Sequence, residues 1–128
     1  MPLTDYVHKS FIKADTSVAA GVTEVEGTDF DSEIMELAHI QKMSISCYVK
    51  GADAGAAGNV EFCFAAYDQL RGMWDTIYYI KVTVALDGAN EVQKTISAIP
   101  SPEKLKLLSI TNPDDAAIDA NASCVMKR

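Results

Sequence analysis

At 128 residues with 48% apolar side chains, the chain carries enough hydrophobic material for one core, and one domain is the expectation. Eighteen acidic against eleven basic side chains leave a net charge of −7, spread along the chain, which repels phosphate backbones and excludes nucleic acid as an expected partner. No apolar run approaches the length needed to cross a bilayer, and MPLTDYVHKSF lacks the hydrophobic core of a signal peptide, so a soluble protein made in the cytosol, without a membrane partner, is expected.

In chain order, the first 20 residues offer only Tyr6, Val7, Phe11 and Ile12 as apolar anchors and are expected to form an extended N-terminal arm, with a β-sandwich domain over residues 21–128. VAAGVTEVE ends like a strand at Val22 and Val25, and Gly27, Asp29 and Asp31 supply a turn. SEIMELAHI is too short to stand alone as a helix and predicts one helical turn or a short strand.

Three segments then alternate with a two-residue period. Met43, Ile45, Cys47 and Val49 oppose Ser44, Ser46, Tyr48 and Lys50; Val60, Phe62, Phe64 and Ala66 oppose Glu61, Cys63, Ala65 and Tyr67; Ile80, Val82, Val84 and Leu86 repeat the pattern. Such alternation predicts strands of a sheet with one buried and one wet face. Between the first two, GADAGAAG has neither bulk nor charge and is expected to be a flexible connection; DQLRGMWD, before the third, is expected to be a surface turn with Trp74 folded over the sheet edge.

LDGAN carries an Asp-Gly turn signal, and EVQKTISAI resumes a weaker alternation in which Lys94 occupies the inward phase, the mark of an edge strand protected against pairing. After Pro100 and Pro102, KLKLLSIT holds Leu105 and Leu107 in one phase and Leu108 and Ile110 in the other, predicting a bulge or a strand buried on both faces. NPDD turns the chain into AIDANASCVM, where Ile118, Ala120, Ala122, Cys124 and Met126 alternate with polar residues. Seven or eight short strands without a long helix predict an all-β protein, an antiparallel β-sandwich of jelly-roll type.

No constellation carries chemistry. Three cysteines, none in a CxxC pair, argue against a disulfide framework and a zinc site; Cys47 and Cys124 sit on apolar strand faces and Cys63 on the other, as reduced thiols. Asp29, Asp31 and Glu33 have the alternate spacing of a calcium loop, but the sixth position lacks glycine and Ile40 stands at the twelfth, so a solvated turn is expected; Asp114 and Asp115 likewise read as turn residues. His8 and His39 are far apart and beside no nucleophile, and GADAGAAG lacks the lysine and helix of a phosphate loop. Neither catalysis nor a metal or other cofactor is expected. Trp74, Tyr78 and Tyr79 could stack on sugar rings, which keeps a carbohydrate-binding β-sandwich module, on a phage or a secreted enzyme, as the alternative.

The run GNVEFCFAAYDQ, WDT, IKVTVALDGANEV and LKLLSITNPDDAAIDANASCVM is similar, in strand and turn pattern over about residues 40 to 126, to small β-sandwich virion proteins encoded among the structural genes of tailed bacteriophages and prophages. The resemblance implies a capsid decoration protein or a neck or tail accessory subunit, made in the host cytoplasm and located in the virion. It also implies partners among the other virion proteins and action as a homo-oligomer. Candidate interface residues are Tyr6, Val7, Phe11 and Ile12 in the arm and Trp74 and Tyr78 in the loops.

Overall fold

The computed structural model describes residues 6–128. Eleven strands are present in them: β1 (Tyr6–Ser10), β2 (Thr16–Val18), β3 (Thr23–Val25), β4 (Met35–Glu36), β5 (Lys42–Lys50), β6 (Asn59–Asp68), β7 (Met73–Trp74), β8 (Ile80–Ala85), β9 (Glu91–Ala98), β10 (Lys104–Thr111) and β11 (Ile118–Lys127). The first sheet runs β1-β11-β5-β9, with β2 pairing the start of β11 where β1 pairs its end. In the second, β3 and β4 pair successive parts of β10, β10 pairs β6, and β6 pairs β8 and, at its end, β7. Every pairing between strands is antiparallel; β1 and β2 share one position in the first sheet and β3 and β4 one in the second, and of the steps that move to a new position only that from β6 through β7 to β8 stays within its sheet. That winding of two four-position sheets is the jelly-roll sandwich that the alternation predicts.

The core explains the alternation. Met43, Ile45, Cys47 and Val49 of β5 and Ile118, Ala120, Ala122, Cys124 and Met126 of β11 are buried in one cluster with Val60, Phe62 and Phe64 of β6 and Val82 and Val84 of β8. Each such valine, isoleucine or phenylalanine contributes about 1.5–3 kcal/mol by leaving water. In β10 the register against β6 shifts between Leu107 and Ser109, so Leu108 is the extra residue of a bulge. The slip turns Leu105, Leu107 and Ile110 all into the core, which an unbroken two-residue period forbids. β9 is an edge strand paired to β5 alone, and its inward-phase Lys94 donates from Nζ to the Thr83 carbonyl of β8 at 3.2 Å, tying the two sheets across their open flank.

The expected arm needs correction. From Tyr6 onward it is an edge of the first sheet, and residues 1–5 lie outside the described residues. The Phe11 N–H donates to the Ala122 carbonyl at 2.8 Å, the Phe11 carbonyl accepts the Glu33 N–H at 2.6 Å, and Phe11 and Ile12 are buried. Four anchors are too few for a separate core, but β11 offers an unpaired backbone edge and the sandwich an open side. The sandwich therefore includes residues 6–20 as well as 21–128.

Two connections also differ from expectation. Residues 51–58 are held, not loose: Ala56 is buried, the Gly88 N–H donates to the Ala56 carbonyl at 3.1 Å, and the Leu86 N–H donates to the Gly58 carbonyl at 2.9 Å. A Cβ on Gly51 would collide with the Gly88 carbonyl oxygen and the Ala56 methyl group, so glycine there permits close loop packing. The Asp-Gly turn at residues 87 and 88 does not close a hairpin; it carries the chain from β8 in one sheet to β9 in the other.

Candidate functional site

Three surfaces compete for a functional role. The first is the outer face of the second sheet, where the wet phase of β6 meets β7 and β10. Trp74 lies opposite Tyr67 in the β6-β7 pair, and their rings meet edge to face with centroids 5.2 Å apart. Lys106 places its ammonium 4.6 Å from the Trp74 ring centroid and 3.1 Å from the Glu26 carboxylate; Lys104 stands over Tyr67 at 5.2 Å. Charge and ring are mutually satisfied here, so Trp74 works as packing over the strand edge. Tyr78 pairs with Lys81 at 5.2 Å, and among the described residues neither Tyr78 nor Tyr79 makes a ring contact with Trp74. The three aromatics named as a sugar platform are thus split between separate surroundings.

The second surface is the loop end formed by the β6–β8 and β9–β10 connections. Tyr79, Ile80, Ile96, Ala98 and Ile99 line a cleft of about 410 Å3 there. Leu70 is 99% exposed, Ile77 76% and Ile99 74%, and Met73, Tyr78 and Tyr79 are exposed as well. Six of the ten large apolar side chains that reach solvent among the described residues belong to these two connections. At the opposite end the loops are tied down by polar bonds: Asn112, fully buried, directs its side-chain amide at the carbonyls of Val18, Ala19 and Ala116 at 3.1, 3.2 and 2.9 Å.

The third surface is the outer face of the first sheet. Strand register aligns its polar phase into rows: Ser10, Ser123, Ser46 and Thr95 in one, Asn121, Tyr48 and Gln93 in the next, Asp119, Lys50 and Glu91 in the third. The short hydroxyl row beside the taller tyrosine leaves a trough of about 440 Å3, flanked by Asp15, whose carboxylate accepts from Asn121 at 3.0 Å. Partial desolvation, then Glu91, Asp15 and Asp119, push the Tyr48 hydroxyl above the ordinary phenol range.

The structure divides the candidate interface residues. Tyr6 is exposed at the start of β1, Val7 is half-buried against the core, and Phe11 and Ile12 are core residues with no surface to offer a partner. Trp74 is half-buried over the second sheet, and Tyr78 is exposed at the loop end. Sequence reading missed Leu70, Ile77 and Ile99, although large apolar residues in loops marked by Gly, Asp or Pro are a usable signal. It also missed the trough, whose members come from the wet phases of separate strands.

The remaining titratable groups are dispersed. Among the described residues, no three or more His, Cys, Asp or Glu side chains come together to hold a metal ion, and no helix is long and apolar enough to cross a membrane. Asp29 caps its own turn by accepting the Val25 N–H at 2.8 Å. All three thiols are unpaired; burial pushes Cys47 and Cys124 up to about 12 and also raises half-buried Cys63.

Neither a family model nor a curated protein sequence matches the chain. Among solved structures, PRD1 vertex protein P5 is similar over 100% of both chains, at 13% identity and a TM-score of 0.50. A protein of the disulfide-linked Bacillus endospore appendages, described as pili, is similar at 14% identity and a TM-score of 0.42, over 95% of this chain and 87% of that one. The CBM22-1 and GH10 modules of Clostridium thermocellum xylanase 10B, solved with xylohexaose, are similar at 11% identity and a TM-score of 0.45, over 94% of this chain and 26% of that one. At such identities, the likeness to the vertex protein establishes a shared β-sandwich fold and nothing finer.

Proposed function

We propose that this protein is a structural subunit of a virion that works by binding other proteins and catalyses nothing. The observation that carries the proposal is the loop end: Leu70, Ile77, Tyr78, Tyr79 and Ile99 expose apolar surface in the two connections at one pole, including the three most exposed large apolar side chains among the described residues. Exposed apolar area of this kind is costly in water and is characteristic of a protein–protein contact. A fold shared with a phage vertex protein is in keeping with such a role. The finer assignment proposed is a capsid decoration protein or a neck or tail accessory subunit, acting as a homo-oligomer with other virion proteins.

The test is the mass of the purified protein, alone and after mixing with capsid or tail shells, for the native chain and for Ile77→Asp combined with Ile99→Asp. The native chain is expected to self-associate or to attach to shells, and the variant to lose that association while keeping its melting temperature. Undiminished association in the variant would move the contact surface away from the loop end.

A further inference from the structure

We propose that the outer face of the first sheet binds a neutral, hydroxyl-rich ligand, a short stretch of glycan laid across the strands over Tyr48. The trough lies on a sheet face, away from the apolar loop end, so the site does not depend on the assembly role. From Asp15 beyond β11 to Gln93 on β9 it spans three strand spacings, about 14 Å.

Its chemistry selects the ligand. Asp15 and Glu91 only accept hydrogen bonds; the Asn121 and Gln93 amides and the Ser46 and Ser123 hydroxyls both donate and accept. A partner must therefore bring many groups that can do both, as sugar hydroxyls do. An anion would face Asp15, Glu91 and Asp119 with only Lys50 to offset them. An apolar ligand would strip water from polar groups and give no partner in return. A lone ammonium would meet the carboxylates but, having donors only, would leave the donor groups of the Asn121 and Gln93 amides and the Ser123 hydroxyl without an acceptor. Tyr48 adds apolar ring area for the C–H face of a sugar, and the low hydroxyl row, where Ser46 and Thr95 are bonded to each other at 2.6 Å, leaves room beside it. These groups reach one another only through the register of β11, β5 and β9.

A printed array of neutral bacterial and plant oligosaccharides, followed by calorimetric titration of the strongest binder, tests the site. The native protein is expected to bind at least one neutral glycan, and Tyr48→Ala to weaken that binding about tenfold or more. Tyr48→Phe should weaken it less, Trp74→Ala should leave it unchanged, and binding should be insensitive to salt. Gln93→Ala, on an edge strand, repeats the test should Tyr48→Ala prove unstable. Absence of binding to any neutral glycan at millimolar concentration overturns the proposal, as does full affinity in Tyr48→Ala or Gln93→Ala. Loss of binding in Trp74→Ala, or salt-sensitive binding of amine-bearing probes alone, overturns it as well.

Discussion

Phe11 and Phe64 meet in the core with ring centroids 5.0 Å apart and planes tilted by 56°, joining the segment just after β1 to the middle of β6 in the opposite sheet. A residue from the edge of one sheet thus fills the space over the centre of the other, and both rings are fully buried.

Removing that ring should be costly. Phe11→Ala is expected to lower stability by about 3–5 kcal/mol through lost burial and a residual cavity, as is Phe62→Ala in the same core. Urea unfolding measures both. A loss below about 1 kcal/mol for Phe11→Ala would return residues 6–20 to the role of a dispensable arm.

Asn112 should be as important at the other end. Its N–H donates to the Val22 carbonyl at 3.0 Å, its side-chain amide faces three carbonyls, and its side-chain oxygen accepts the Asp114 N–H at 2.9 Å. Asn112→Ala keeps the backbone bond to Val22 but leaves the buried Val18 carbonyl and Asp114 N–H without their side-chain partner, each at about 1–3 kcal/mol, so a loss of about 2 kcal/mol or more is expected in thermal or urea unfolding. Asn112→Asp, which sets a carboxylate against three carbonyl oxygens, should be no less damaging at neutral pH. A near-native midpoint for both variants would show that these loops hold without the bridge.

The thiols predict a pH dependence. Burial pushes Cys47, against a smaller opposing pull from Lys94, and Cys124 from an ordinary value of 9.0 up to about 12. Between those values the unfolded chain has lost protons that the folded chain keeps. The stabilisation is therefore complete below about pH 9 and lost as pH rises towards 12, at up to about 1.4 kcal/mol per pH unit for each thiol. The double variant Cys47→Ala, Cys124→Ala should decline less steeply in urea unfolding across this range, and equal slopes would contradict the burial. In the native protein at pH 8, alkylation should reach Cys63 alone.

What the sequence determined by itself was whatever one strand can express alone. The alternations of β5, β6, β8 and β11, the inward lysine of β9 and the phase slip around Leu108 are local patterns, and each identifies a strand and its buried face. Tertiary structure decided the rest. β1 and β2 have too few inward apolar residues to alternate visibly, and they became strands because β11 supplied a backbone edge and the core a place for Phe11. The Asp-Gly signal marked a turn but could not say that β8 and β9 part to different sheets. The trough exists because register sets Tyr48 between Asn121 and Gln93 and Ser46 between Ser123 and Thr95, residues some 45 to 77 positions distant in sequence. Alternation fixes which face a side chain takes, whereas alignment across strands depends on the packing of the whole sandwich, to which every strand contributes.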